Sequence, residues 1–154
     1  MNAGTTTPKP MTGIRRIGKT RYMVQVAMLA AIATVLMLFD FPLPFAPSFY
    51  KIDLSELPVL IGAFAMGPAA GALIELVKVL LNLVLNGTDT AFVGEFANLL
   101  IGCSLVVPAG VIYQRKKTRI TAIIGMVVGT VLMAAVGGFL NAYLLLPAYA
   151  AAFG

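Results

Sequence analysis

The chain has 154 residues, 60% of them hydrophobic and only 11% charged, against about 25% charge in a soluble globular domain. This composition excludes a soluble fold. It indicates a polytopic, all-α membrane bundle of one domain, in which every long apolar run meets lipid or another run. With no histidine and a single cysteine, Cys103, an internal disulfide, an imidazole metal centre and histidine-based catalysis are excluded, and no cofactor is expected.

The net charge is +5, and nine of the eleven Lys and Arg fall in two clusters. These are Lys9, Arg15, Arg16, Lys19 and Arg21, then Arg115, Lys116, Lys117 and Arg119. Beside apolar helices such clusters read as cytoplasmic anchors and not as a nucleic-acid surface. Met1 to Gly13 is polar and reads as a disordered tail, with residues 1–21 cytoplasmic and 22–154 forming the bundle. A twin-arginine signal at Arg15-Arg16 is set aside, because the apolar run that follows is long and lacks a cleavage site.

Tyr22 to Phe39 is the first expected span. Ala27 and Ala31, four apart, let another helix approach closely, and ordinary packing within the bundle is the plainest reading. Asp40 to Asp53 then breaks the pattern with three prolines and with Phe41, Phe45, Phe49 and Tyr50. A loop this apolar reads equally as an interfacial aromatic belt or as a lid over a flat ligand. Asp53-Leu-Ser-Glu56 resembles a capping box that opens a short second helix, Leu54 to Met66, ended by Gly67-Pro68.

The third helix, Gly71 to Asn86, is apolar except for Glu75, Lys78, Asn82 and Asn86. That spacing stacks all four on one face, which in a membrane helix points to the bundle interior. A charge at the bilayer centre costs at least about 2.5 kcal/mol, so Lys78 and Glu75 need a reason; a mutual ion pair is the structural one. After a turn at Asn86-Gly-Thr-Asp-Thr90, a fourth helix from Thr90 to Tyr113 carries Glu95 and Asn98 on one face. The fifth, Ile120 to about Leu146, has Gly125 and Gly129 four apart for close packing, and Asn141 near its far end. With the first basic cluster inside, four crossings return the second cluster inside as well. Asn82, Asn86, Glu95, Asn98 and Asn141 then converge toward the outer half of the membrane, beneath the aromatic loop.

At this point the sequence resembles a family. DLSELPVLIGAFAMGPAAGALIELVKVLLN (Asp53 to Asn82), VGEFANLLIG (Val93 to Gly102), VVPAGVIYQRKK (Val106 to Lys117), and GMVVGT with GGFLNAYLLLPAY further on are similar to the substrate-binding S components of energy-coupling factor (ECF) vitamin transporters. Within them the likeness is to the riboflavin-specific type. The resemblance implies a six-helix bundle, of which this chain holds five. It implies riboflavin as a transported ligand bound from outside, and no ATPase in the chain itself. It also implies a partner module of one transmembrane coupling protein and two ATPases. Carried over, Lys78 and Asn141 match flavin-contacting positions, and Asn82, Glu95 and Asn98 are further candidates. The loop from Pro44 to Tyr50, with Phe45 and Tyr50, would lie against the ligand as a gate. Ala27 and Ala31 resemble the small-residue motif that meets the coupling protein.

Alternatives are an S component for folate or pantothenate, a purely structural subunit, and a membrane-embedded enzyme. An anionic vitamin should want more than one buried cation, and the apolar stretches offer only Lys78; nothing marks a catalytic dyad. The apolar end, Ala148 to Gly154, and the family's sixth helix lead to the expectation that the reading frame continues. The topology is checked with single cysteines, Ser48→Cys and Thr118→Cys in a Cys103→Ala background. An impermeant reagent applied to intact cells is expected to label position 48 and to spare position 118.

Overall fold

The computed structural model describes residues 12–39, 41–42, 51–52, 54–87 and 92–153. Five helical rods make up the bundle: α1 (Thr12–Leu38), α2 (Glu56–Met66), α3 (Pro68–Asn86), α4 (Val93–Arg115) and α5 (Arg119–Leu140). α5 continues through a π-helical turn, Asn141–Leu145, into α6, Leu146–Phe153. Between α1 and α2 a two-residue antiparallel ladder pairs β1 (Phe41–Pro42) with β2 (Lys51–Ile52), Phe41 opposite Ile52. Among the described residues four helices are long and apolar enough to cross a membrane; α2 is the short exception. Large apolar side chains stay exposed on every rod, as at Met28, Ile61, Val84, Phe96 and Val127, which suits a lipid solvent.

α1 starts at Thr12, ten residues before the expected Tyr22. Apolar patterning finds the span, but a helix can run past the membrane on basic residues such as Lys19 and Arg21, which are exposed. α2 starts at Glu56, two residues later than expected, and Asp53 of the expected capping box lies outside the described residues. Ser55 is the N-cap but makes no side-chain capping bond. Pro58 sits in the first turn of α2, where its missing N–H has no intrahelical partner to lose.

Gly67 sets the α2–α3 reversal. Its φ of 111° and ψ of 167° suit glycine, its N–H donates to the Ala63 carbonyl at 3.0 Å, and Pro68 follows at the first helical position. Gly87 closes α3 in the same manner, with φ 73° and its N–H on the Leu83 carbonyl at 2.9 Å. Phe92 enters α4 with φ 71°, a strained conformation for a bulky residue. α4 runs through Pro108 without interruption.

Small residues fix the registers. Gly71 faces Ala63 and Val106, Gly110 faces Pro68, Gly125 faces the backbone of Ala109, and Gly129 faces that of Leu105. The expected glycine packing of the fifth helix is therefore directed against α4, its most extensive neighbour. α1 enters the core through Val26, Ala30 and Ala33, with Ile74, Val59 and Val106. Thr34, also buried, returns its hydroxyl to the Ala30 carbonyl at 2.8 Å. Ala27 and Ala31 lie on the opposite, exposed side of α1, so the close-packing role belongs to Ala30 and Ala33.

The chain reversals place the start of α1, with Arg15, Arg16, Lys19 and Arg21, and the α4–α5 junction, with Arg115, Lys116, Lys117 and Arg119, at one end. The other end holds the end of α1, the end of α3 and the start of α4. We call these the basic end and the loop end. A Cβ on Gly125 would lie 2.9 Å from the Ala109 carbonyl oxygen, and a backbone neighbour cannot move aside cheaply. Gly125→Leu is expected to lower stability by about 1–3 kcal/mol, seen as an earlier thermal unfolding midpoint in detergent. Gly138→Leu, at a position with nothing within 4 Å, serves as the control and is expected to leave that midpoint unchanged.

Candidate functional site

The short helix creates the site. α2 has 11 residues, about 16 Å at 1.5 Å per residue, against a hydrocarbon core of about 30 Å. It begins roughly half-way across the bundle and runs down to the basic end. Glu56 stands eleven residues before Gly67 and Lys78 eleven after it, so the antiparallel α2–α3 pair brings them level. The Lys78 ammonium meets Glu56 Oε1 at 2.8 Å, Glu75 Oε1 at 2.8 Å and Ser55 Oγ at 3.1 Å. Lys78 and Glu75 are fully buried, and the Glu56 side chain is 13% exposed. An ammonium has three N–H bonds, and here three protein oxygens surround it.

The α4 backbone makes room for this cluster at Gly102, where an added Cβ would collide with the Glu75 carboxylate. The expected Glu75–Lys78 pair is present, but it is part of a larger group. Glu56 and Ser55 were not expected in it. The acid of the apparent capping box reaches across to Lys78 on the neighbouring helix. The sequence signal was available in the equal spacing of Glu56 and Lys78 about Gly67.

The other candidates lie between this cluster and the loop end. Gly110 facing Pro68, Val106 facing Gly71 and Gly102 facing Glu75 define the antiparallel α3–α4 register. Carried two turns further, it brings Glu95 level with Asn82. On the α4–α5 side, Gly129 facing Leu105 and Gly137 facing Ile101 bring Asn141 close to the level of Asn98. Asn82, Glu95 and Asn98 are half-buried and Asn141 is exposed. Asn86 donates its amide to Asn82 Oδ1 at 2.8 Å. Asn141 opens the π-helical turn; such turns rotate the following side chains and recur at functional sites. Phe45, Tyr50 and Asp53 lie outside the described residues. The arrangement is a polar level above a charged floor. It can offer amide donors and acceptors to a neutral, polar, planar solute.

Residues 21–154 match the family described as ECF transporter, substrate-specific component. The chain is 38% identical over 145 residues to a riboflavin transporter RibU of Staphylococcus aureus (strain TCH60), covering 93% of this chain and 76% of that protein. It is 34% identical over 132 residues to the riboflavin transporter FmnP of Bacillus subtilis (strain 168), covering 85% and 70%. Among solved structures it superposes with a TM-score of 0.76 and 38% identity on one described as the S component of a bacterial ECF transporter, covering 86% of this chain and 77% of that one.

The charged floor yields a stability prediction. Lys78→Met leaves Glu56 and Glu75 facing each other without a cation, which is expected to cost about 3–5 kcal/mol. The triple variant Lys78→Met/Glu56→Gln/Glu75→Gln removes every charge together and is expected to recover most of the loss. Thermal unfolding in detergent, with size-exclusion profiles, checks both.

Proposed function

Because the chain belongs to the family of substrate-specific components of ECF transporters, we propose that it captures riboflavin at the loop end and delivers it to a separate energising module. The observation that carries this reading is the 38% identity over 145 residues to a riboflavin transporter. The geometry supports the site: a polar level at Asn82, Glu95, Asn98 and Asn141 above a floor that buries Lys78. Asn141 is the principal ligand group in this reading, since an amide can both donate to and accept from the pyrimidine edge of a flavin. Lys78 directs its ammonium to protein oxygens, so it serves the site through the floor.

The loop end faces outside and both basic clusters face the cytoplasm, as the positive-inside rule requires. The subunit is a carrier and performs no chemistry on the vitamin. Its partner is a module of a transmembrane coupling protein and two ATPases, and the coupling protein approaches α1 on the exposed side that holds Ala27 and Ala31. Their lack of bulk and their place outside the core support that face.

Titration of riboflavin fluorescence against the purified protein tests the ligand. Saturable quenching that folate and pantothenate do not compete away is expected; no quenching would overturn the reading. Asn141→Ala is expected to weaken binding five- to a hundred-fold, the loss of about 1–3 kcal/mol for one hydrogen bond to a desolvated ligand. Ala27→Trp is expected to keep riboflavin affinity and to lose uptake in cells. Survival of uptake would remove that face from the docking surface.

A further inference from the structure

The charges of this chain are sorted by sign. The segments that build the basic end, within residues 1–39, 57–74 and 96–154, contain none of the six Asp and Glu. Eight cations gather there: Arg15, Arg16, Lys19 and Arg21 on α1, and Arg115, Lys116, Lys117 and Arg119 at the α4–α5 junction. An ordinary solvated surface intersperses both signs. The positive-inside rule accounts for the end that the cations occupy. It does not supply their counter-charge, and these segments carry none.

The cations form two groups. α1 packs on α2 and α3, α4 packs on the other side of that pair, and α5 packs on α4, so the groups stand on opposite flanks. The α2–α3 reversal between them, Gly67–Pro68, is uncharged. Lys19, Arg21 and the four junction cations are all exposed. On each flank an exposed cation stands one turn before an exposed apolar side chain on the same helical face: Lys19 before Met23 on α1, and Arg119 before Ile123 on α5. Four residues rise about 6 Å along a helix, with the cation nearer the basic end in both cases. A soluble anion would cover the cations and leave Met23 and Ile123 bare. A molecule with a phosphate above an acyl chain covers both, and a guanidinium pairs well with phosphate oxygens.

We propose that the basic end is a two-point binding surface for anionic phospholipid. One point is Lys19 with Arg21; the other is Arg115, Lys116, Lys117 and Arg119. The phosphodiester rests on the cations and the acyl chains pass Met23 and Ile123. This surface is independent of the riboflavin reading.

Phosphatidylglycerol is the probe that tests it. In a Cys103→Ala background, bimane is attached at Val24→Cys, Ile120→Cys or Val84→Cys, all exposed positions. Each protein is reconstituted in phosphatidylcholine vesicles with increasing fractions of nitroxide-labelled phosphatidylglycerol or nitroxide-labelled phosphatidylcholine, and quenching gives their relative association. At positions 24 and 120, phosphatidylglycerol is expected to be preferred about fivefold or more, the worth of one engaged cation. At position 84, toward the loop end, the ratio is expected to stay near one. Arg115→Gln/Lys116→Gln/Lys117→Gln/Arg119→Gln is expected to abolish the preference at 120 and keep it at 24. Lys19→Gln/Arg21→Gln is expected to lower it at 24 and keep it at 120. These side chains are exposed, so folding is expected to be unchanged, as size-exclusion profiles check.

Equal quenching by the two lipids at 24 and 120 overturns the proposal and leaves the basic end to an acidic protein partner. A preference at 120 that survives the quadruple substitution overturns the assignment to those four cations. Loss at both positions in either variant overturns the division into two points. Should a variant not fold, the parent decides: a preference unchanged by about 1 M salt, where screening acts within about 3 Å, overturns the charge basis.

Discussion

A single ammonium group in the middle of a membrane bundle constrains most of what surrounds it. Lys78 is fully buried, and a lone cation there would be intolerable, so the fold must bring oxygens to it. Glu75 comes from the same helix one turn earlier. Glu56 and Ser55 come from the start of α2, and they arrive at the right depth because α2 and α3 are joined by a one-residue reversal at Gly67. A longer α2 would carry its first turn past Lys78. A side chain at Gly102 would displace the Glu75 carboxylate. The length of one helix, the reversal and a glycine on a third helix all answer to one interaction.

The same constraint divides the bundle into halves. Toward the basic end, α2, α3, α4 and α5 approach closely through Gly71, Gly110, Gly125 and Gly129. Toward the loop end α2 is absent, and α3, α4 and α5 carry amides and a carboxylate. A closely packed half beside a polar half suits a subunit that takes up a solute at one end while the other end keeps its shape. The exposed alanines of α1 lie on neither packing surface, which leaves them available to a partner helix.

Much of this was legible in the sequence, for identifiable reasons. The helices were readable because lipid demands long apolar runs, and the Glu75–Lys78 pair because i, i+3 spacing settles adjacency on one helix. Gly125 and Gly129 were legible as a packing face, though not the partner they meet. Glu56 is ambiguous in the sequence because an acid three residues after Asp53 fits a capping box as well as it fits an interhelical ion pair; the register about Gly67 is what points to Lys78. The alanines of α1 illustrate another limit. Ala27, Ala30, Ala31 and Ala33 are chemically alike, and only the packed neighbours show that 30 and 33 face inward. The start of α1 at Thr12 escaped notice because the turns before Tyr22 are basic, and apolar periodicity carries no information there. For Asn82, Glu95, Asn98 and Asn141 the residue types were readable, while their levels came from glycine contacts between helices.

The central claim is that α2 begins half-way across the membrane, held there by Lys78. Its most direct test is the depth of Leu57, which is exposed beside Glu56. A nitroxide at Leu57→Cys, in a Cys103→Ala protein reconstituted in bilayers, is compared by power saturation with nitroxides at Leu76→Cys and Val84→Cys. The account predicts that position 57 lies as deep as position 76, high in oxygen accessibility and low in accessibility to a polar relaxant. A depth as shallow as that of position 84 would contradict it.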